Sequence, residues 1–95
     1  MPSNLQTEIY APPEFLENFS ALPRDVKVRL VAALPVLDEY MWDRTPPLVE
    51  DPVNSGHFTY ALGSDWVMRM FAVTERTSRG VPFKRRITLL GCFPV

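Results

Sequence analysis

The 95-residue chain holds one cysteine, one histidine and four glycines, and each scarcity removes a class of chemistry. Cys92 alone cannot close an internal disulfide, so a reducing cytosol is the simplest home, and a cytoplasmic location is expected. His57 has no second histidine or cysteine at ligand spacing, so no metal site is expected. The glycines Gly56, Gly63, Gly80 and Gly91 never fall in a phosphate-cradling spacing, and serine elbows and CxxC pairs are missing. Ordinary cofactor enzymes are thereby set aside, and no cofactor is expected. The longest apolar run, Leu30 to Leu37, contains Pro35 and is far shorter than the roughly 20 residues that span a bilayer, so no membrane partner is expected. The opening Met1-Pro2-Ser3-Asn4 lacks the basic start and apolar stretch of a secretory signal. A surplus of charge is missing too. Ten bases against eleven acids leave −1, which argues against a protein that lives by coating nucleic acid.

What is present reads as one ordinary globular domain over residues 1–95, with 46% hydrophobic and 22% charged residues. Ten prolines are about twice the average usage, and they are dispersed, so they punctuate elements and do not form a proline-rich ligand. The near-zero charge hides a gradient. Residues 1–51 carry nine acids and four bases, whereas residues 52–95 carry only Asp65 and Glu75 against six bases. Such a chain can present edges of opposite sign to different partners.

Past a short tail over residues 1–6, Thr7 to Ala11 is β-prone and is stopped by Pro12-Pro13, the second proline suiting a helix start. Phe15, Leu16, Phe19 and Leu22 then mark one helical face over Glu14 to Leu22. Pro23 restarts the chain. Val26, Leu30, Ala33, Leu34, Leu37 and Tyr40 predict a second helix over Arg24 to Tyr40. Val28, Val31 and Val36 widen its apolar stripe toward burial on more than one side, and Pro35 should kink or end it near Leu34. Residues 13–40 are thus expected as an antiparallel helical hairpin, and the proline-rich 41–55 as an irregular connector. From residue 56 the period becomes two. Strands are expected at His57 to Leu62, Trp66 to Thr74 and Arg86 to Phe93, joined by the turn Gly63-Ser64-Asp65 and a loop over Glu75 to Arg85. The expected fold is α+β: an N-terminal strand, the helical hairpin, then a three-strand antiparallel meander over 56–93, all in one sheet.

Several residues stand out against this frame. Arg69 shares strand parity with Val67, Phe71 and Val73, so its charge is expected either to pair with a carboxylate of the acidic half or to serve a site. Arg76, Arg79, Lys84, Arg85 and Arg86 gather five positive charges within eleven residues, with Phe83 among them. The plain reading is a solvated hairpin tip; the sharper one is a grip on phosphates or on an acidic protein face, with Phe83 stacking or anchoring. Trp42 either caps the hairpin core or anchors an interface. His57 reads as a partly exposed strand-start residue, because a general-base role would need a nucleophile that is not evident. Cys92 reads as a small buried hydrophobe. Glu14, Glu17, Asp38 and Glu39 solvate and cap the helices, or imitate the phosphates of a nucleic acid.

The pieces EFLENFSALPRDVKVRLVAALPVLDEY, GHFTYAL followed by WVMRMFAV, and RRITLLGCF, in this order, resemble the small toxins of the RelE/ParE superfamily, in particular its HigB-like, phage-borne branch. The resemblance runs from Thr7 to Phe93 and rests on element order and hydrophobic pattern. It implies a toxin-like effector that inhibits translation by mRNA cleavage, or inhibits DNA gyrase, and that an antitoxin neutralises by wrapping over the sheet. Arg69 matches an active-site arginine of the ribonuclease members and would there stabilise charge developing on the scissile phosphate. The implied partners are a protein, either antitoxin or target complex, and RNA on the ribosome. Phe93-Pro94-Val95 stands where those enzymes carry basic and aromatic groups, and Tyr60-Ala61-Leu62 where they carry another arginine. The alternative needs none of these groups: a non-enzymatic phage-encoded inhibitor on the same scaffold, binding a host defence or nucleic-acid-processing complex. A DNA-binding transcription factor fits worst, since the Arg24 to Tyr40 segment balances three bases with three acids.

Overall fold

The computed structural model describes residues 6–37 and 48–95. Its elements are β1 (Gln6–Tyr10), α1 (Pro13–Ser20), α2 (Arg24–Ala33) with a 3-10 turn at Leu34–Val36, β2 (Leu48–Glu50), β3 (His57–Ala61), β4 (Trp66–Arg76) and β5 (Pro82–Pro94). The strands form one mixed sheet in the order β1-β5-β4-β3-β2, with β1 parallel to β5 and every other pair antiparallel.

The prolines act locally as expected. Pro13 occupies the first turn of α1, where its missing N–H costs no hydrogen bond, and Pro23 caps α2. Pro35 cannot continue the α-helical ladder, so α2 ends at Ala33 and tightens into the 3-10 turn. Val26, Leu30 and Ala33 of α2, followed by Leu37, are buried against the sheet, whereas Val28 and Val31 are 61% and 54% exposed. The second helix therefore has a single buried stripe rather than burial on several sides, because the sheet lies against only one side of it. Residues 38–40, expected in the same helix, lie outside the described residues.

The expected architecture needs correcting in three places. The sheet has five strands rather than an N-terminal strand plus a three-strand meander, and it is mixed. The added strand, β2, comes from the supposed connector: Leu48 is buried to 3% and pairs with Tyr60, but three residues are too few to show alternation. The supposed loop over 75–85 is mostly strand. Glu75 pairs with Lys84 and Arg76 with Pro82, which leaves only Thr77–Val81 to turn the chain. A ribbon exposed on both sides has no apolar alternation to betray it.

Phe15, Leu22, Val26, Leu30 and Leu37 from the helical side meet Leu48, Phe58, Leu62, Met68, Met70, Ile87, Leu89 and Cys92 from the sheet. Two polar staples align these layers. Asn18 of α1 accepts the backbone N–H of Cys92 at 2.8 Å and donates to its carbonyl at 3.1 Å, so a side-chain amide extends the ladder of β5. Arg29 of α2 donates to the Leu62 carbonyl at 2.6 Å and bridges Asp25 and Asp65, which ties the helix to the β3–β4 turn. Opposite Arg69 and Met70 the β5 register slips by one residue, a β-bulge that leaves Leu90 on the solvent side between buried Leu89 and Cys92. Within the bulge a β-carbon on Gly91 would lie 2.5 Å from the Phe93 ring, so a larger residue there would push that exposed ring aside.

Candidate functional site

The helices cover one face of the sheet, and no described element covers the other. Strand parity and the bulge determine what stands on that open face. Met68 and Met70 point into the core, so Val67, Arg69, Phe71 and Val73 point away from it. Register then assembles the neighbours. Thr59 and Gly91 flank Arg69, His57 and Thr88 flank Phe71, and Arg86 lies beside Val73. Tyr10 of β1 lies next to Thr88, and Val49 of β2 next to Thr59. Tyr10, Val49, Val73, Leu90 and Phe93 are each 40% exposed or more, which makes this face unusually apolar for a surface.

Arg69 is exposed near the middle of this face. Its guanidinium carbon lies 5.6 Å from the centroid of the Phe93 ring, within cation–π range, and no carboxylate among the described residues pairs with it. Beside it lies a shallow groove of about 270 Å³ bordered by Asp51, Asn54, His57, Thr59, Arg69 and Leu90. The His57 ring packs against Phe71 at 4.8 Å. Asp51 accepts the backbone N–H groups of Val53 and Asn54 at 2.8 and 3.0 Å, and these bonds hold its carboxyl below the usual range, helped by the nearby imidazole. The groove thus combines a fixed carboxylate, an imidazole and a guanidinium.

The five-charge cluster does not stay together. Arg76 and Arg79 lie at the tip of the β4–β5 hairpin, where Arg76 donates to the Gly80 carbonyl at 3.0 Å. Lys84 makes an ion pair with Glu8 at 2.7 Å, and the Glu8 carboxyl is lowered by that hydrogen bond and by the lysine charge. Arg86 is exposed on the open face. Arg85 has the opposite parity: it is 8% exposed, donates to the Thr74 hydroxyl at 3.3 Å and borders a small pocket with Glu50, Ser55 and Gly56 on the helix side. Phe83, on the parity of Arg85 but beyond the end of the core, is 43% exposed. Trp42 lies outside the described residues. Burial raises the Cys92 thiol, which keeps it protonated and unreactive at neutral pH. No group of three or more histidine, cysteine, aspartate or glutamate side chains among the described residues is placed to hold a metal ion.

No protein-family model, curated protein or solved structure matches the chain. Nothing in these comparisons identifies a RelE/ParE family. No described helix is long and apolar enough to cross a membrane.

Residue reasoning alone singled out Arg69 but did not place His57 or Leu90 beside it. His57 and Arg69 come together because the tight turn after Leu62 aligns Ala61 with Val67 and hence Thr59 with Arg69. Counting outward from Gly63-Ser64-Asp65 would have found that pairing. Leu90 carries no such signal, because the bulge that turns it outward is a property of the paired strands.

Proposed function

We propose that this chain is a non-enzymatic effector that works in the cytoplasm by binding protein through the open face of its sheet, with Arg69 as the central anchor. The observation that supports this reading is the composition of that face. Aromatic and branched apolar side chains surround an arginine already oriented over Phe93, and among the described residues of this face lysine and glutamate are limited to the paired Lys84 and Glu8 and the outlying Glu75. Buried interface centres are enriched in aromatics and arginine and poor in lysine and glutamate, so the face has the make-up of a protein contact. An inhibitor of a host or nucleic-acid-processing complex, or a gyrase-directed toxin-like effector, would both use it, in line with the residue pattern.

A second reading, an mRNA-cleaving toxin, is favoured by the groove between His57 and Arg69. RNA carries its own 2′-hydroxyl nucleophile, so a general base beside a charge-stabilising arginine would be enough, with no nucleophile from the protein. Inducing the chain in growing bacteria separates the readings. On the binding reading, wild type slows growth, Arg69→Ala and Val73→Glu relieve the effect, and His57→Ala does not, while mRNA in a cell-free translation extract stays intact. Cleaved mRNA that becomes intact with either His57→Ala or Arg69→Ala would replace binding by catalysis. No growth effect from wild type would sink both.

A further inference from the structure

The hairpin formed by the distal halves of β4 and β5 has no use in the sheet-face reading. On the β3 side the last contact of β4 is the Ala72 N–H to the Gly56 carbonyl, and among the described residues the pairing of β1 with β5 begins at Gln6 and Lys84. Beyond those points the two strands continue as a ribbon paired only with each other among the described residues, and every residue from Glu75 to Val81 is exposed. The molecule measures 44 × 26 × 25 Å, a long axis that an 11-residue and a 13-residue strand running together account for. A tight tip is built into the sequence. The Thr77 hydroxyl accepts the N–H groups of Arg79 and Val81, the Gly80 N–H returns to the Thr77 carbonyl, and Gly80 has a φ of 81°.

We propose that this arm docks double-helical nucleic acid by laying its two-stranded ribbon in a groove of the duplex. Cations stand on both strands and at the tip: Arg76 on β4, Arg79 in the turn, Lys84 and Arg86 on β5, with Glu75 the one acid between Val73 and Arg86. That distribution suits a groove, which presents phosphates on both sides of an inserted element, better than it suits a flat acidic protein surface. The major groove, about 12 Å wide, admits a two-stranded ribbon. Three of the four cations are arginines, which suit phosphate geometry. Val81 and Phe83, 56% and 43% exposed, supply apolar contacts toward thymine methyls or a base step at the same end.

The overall charge of −1 does not oppose this. The acidic residues of α1 lie near Cys92, to which Asn18 is bonded, and ten residues of strand separate Cys92 from Pro82. At about 3.3 Å per residue that is roughly 30 Å. The Debye length at physiological salt is about 8 Å, so the α1 carboxylates are screened from the arm, whose own acids are Glu75 and the Glu8 that pairs with Lys84.

The test uses the full chain and a fluorescently labelled, mixed-sequence DNA duplex about two helical turns long, read by anisotropy, with the same single strand and poly-glutamate as competitors. The expected result is duplex binding at low salt with a log–log salt slope of about −3, one unit for each of Arg76, Arg79 and Arg86, Lys84 being shared with Glu8. Arg79→Glu should weaken binding about tenfold or more at an unchanged unfolding midpoint, and Arg86→Glu should do the same from the other strand, while Arg24→Ala at the far end has no effect. Absence of duplex binding at low salt, or binding indifferent to both glutamate variants, would overturn the proposal. So would a single strand that binds more tightly than the duplex. Displacement by poly-glutamate at equal charge would assign the arm to an acidic protein instead. None of these results depends on the sheet-face reading, which has its own growth assay.

Discussion

Individual residues carry the joints between layers, and Gly63 is the most constrained of them. Its φ is 83°, and a β-carbon there would lie 2.6 Å from the Arg29 nitrogen that bonds the Leu62 carbonyl. Gly63→Ala therefore meets two penalties, a left-handed backbone and a displaced staple. It should lower the unfolding free energy by about 1–3 kcal/mol, measured by urea denaturation. A loss well below this range would mean that Arg29 moves aside at little cost. Glu8 illustrates a charge whose partner only the fold supplies. Its carboxyl is lowered from 4.5 by the Lys84 hydrogen bond first and the lysine charge second. The group is ionised more readily folded than unfolded, so its stabilisation is complete above about pH 4.5 and is lost as the pH falls through the depressed native value. Titration of Glu8 by NMR should show the lowered value in wild type and an ordinary one in Lys84→Gln. An ordinary value in wild type would remove the ion pair from solution. Gly63 could be read in the sequence as a turn residue, whereas the Glu8–Lys84 pair, 76 positions apart, could not.

Elements were legible in proportion to their length and burial. α1 and the start of α2 follow from proline placement and a 3.6-residue period, and β3 and the first half of β4 follow from a period of two around an evident turn. β2 failed this reading because a three-residue strand has no period. The distal parts of β4 and β5 failed it because a ribbon wet on both faces has no apolar parity, and charged residues there look like loop. The parallel pairing of β1 with β5 is invisible for a different reason. Glu8 and Arg86 are register partners because the fold sets β1 down beside the last strand, and no local pattern in QTEIY encodes that neighbour. The site divides along the same line. The parity of Arg69 was readable; its solvent-facing side and its seat over Phe93 were not, since Phe93 lies beyond a bulge.

At the scale of the whole molecule the sheet has a covered face and an open one, and the two should respond oppositely to substitution. Met70→Ala, on the fully buried side of β4, should cost about 2–5 kcal/mol. Val73→Thr, on the open side of the same strand, should stay within about 0.5 kcal/mol of wild type in the same urea titration, because Val73 is already 45% exposed. Equal losses at the two positions would mean that the open face is covered within the free chain, and docking there would then need a displaced segment. The sequence by itself determined the onset of the two helices, the apolar set that forms the core, and the division into an acidic first half and a basic second half, because composition and period are local and survive without a fold. Tertiary structure alone decided the fifth strand, the mixed pairing and the dispersal of the basic cluster into an arm with Arg86 exposed at its root and a buried Arg85. Those outcomes depend on register, and a shift of one residue in a strand moves every side chain to the other face.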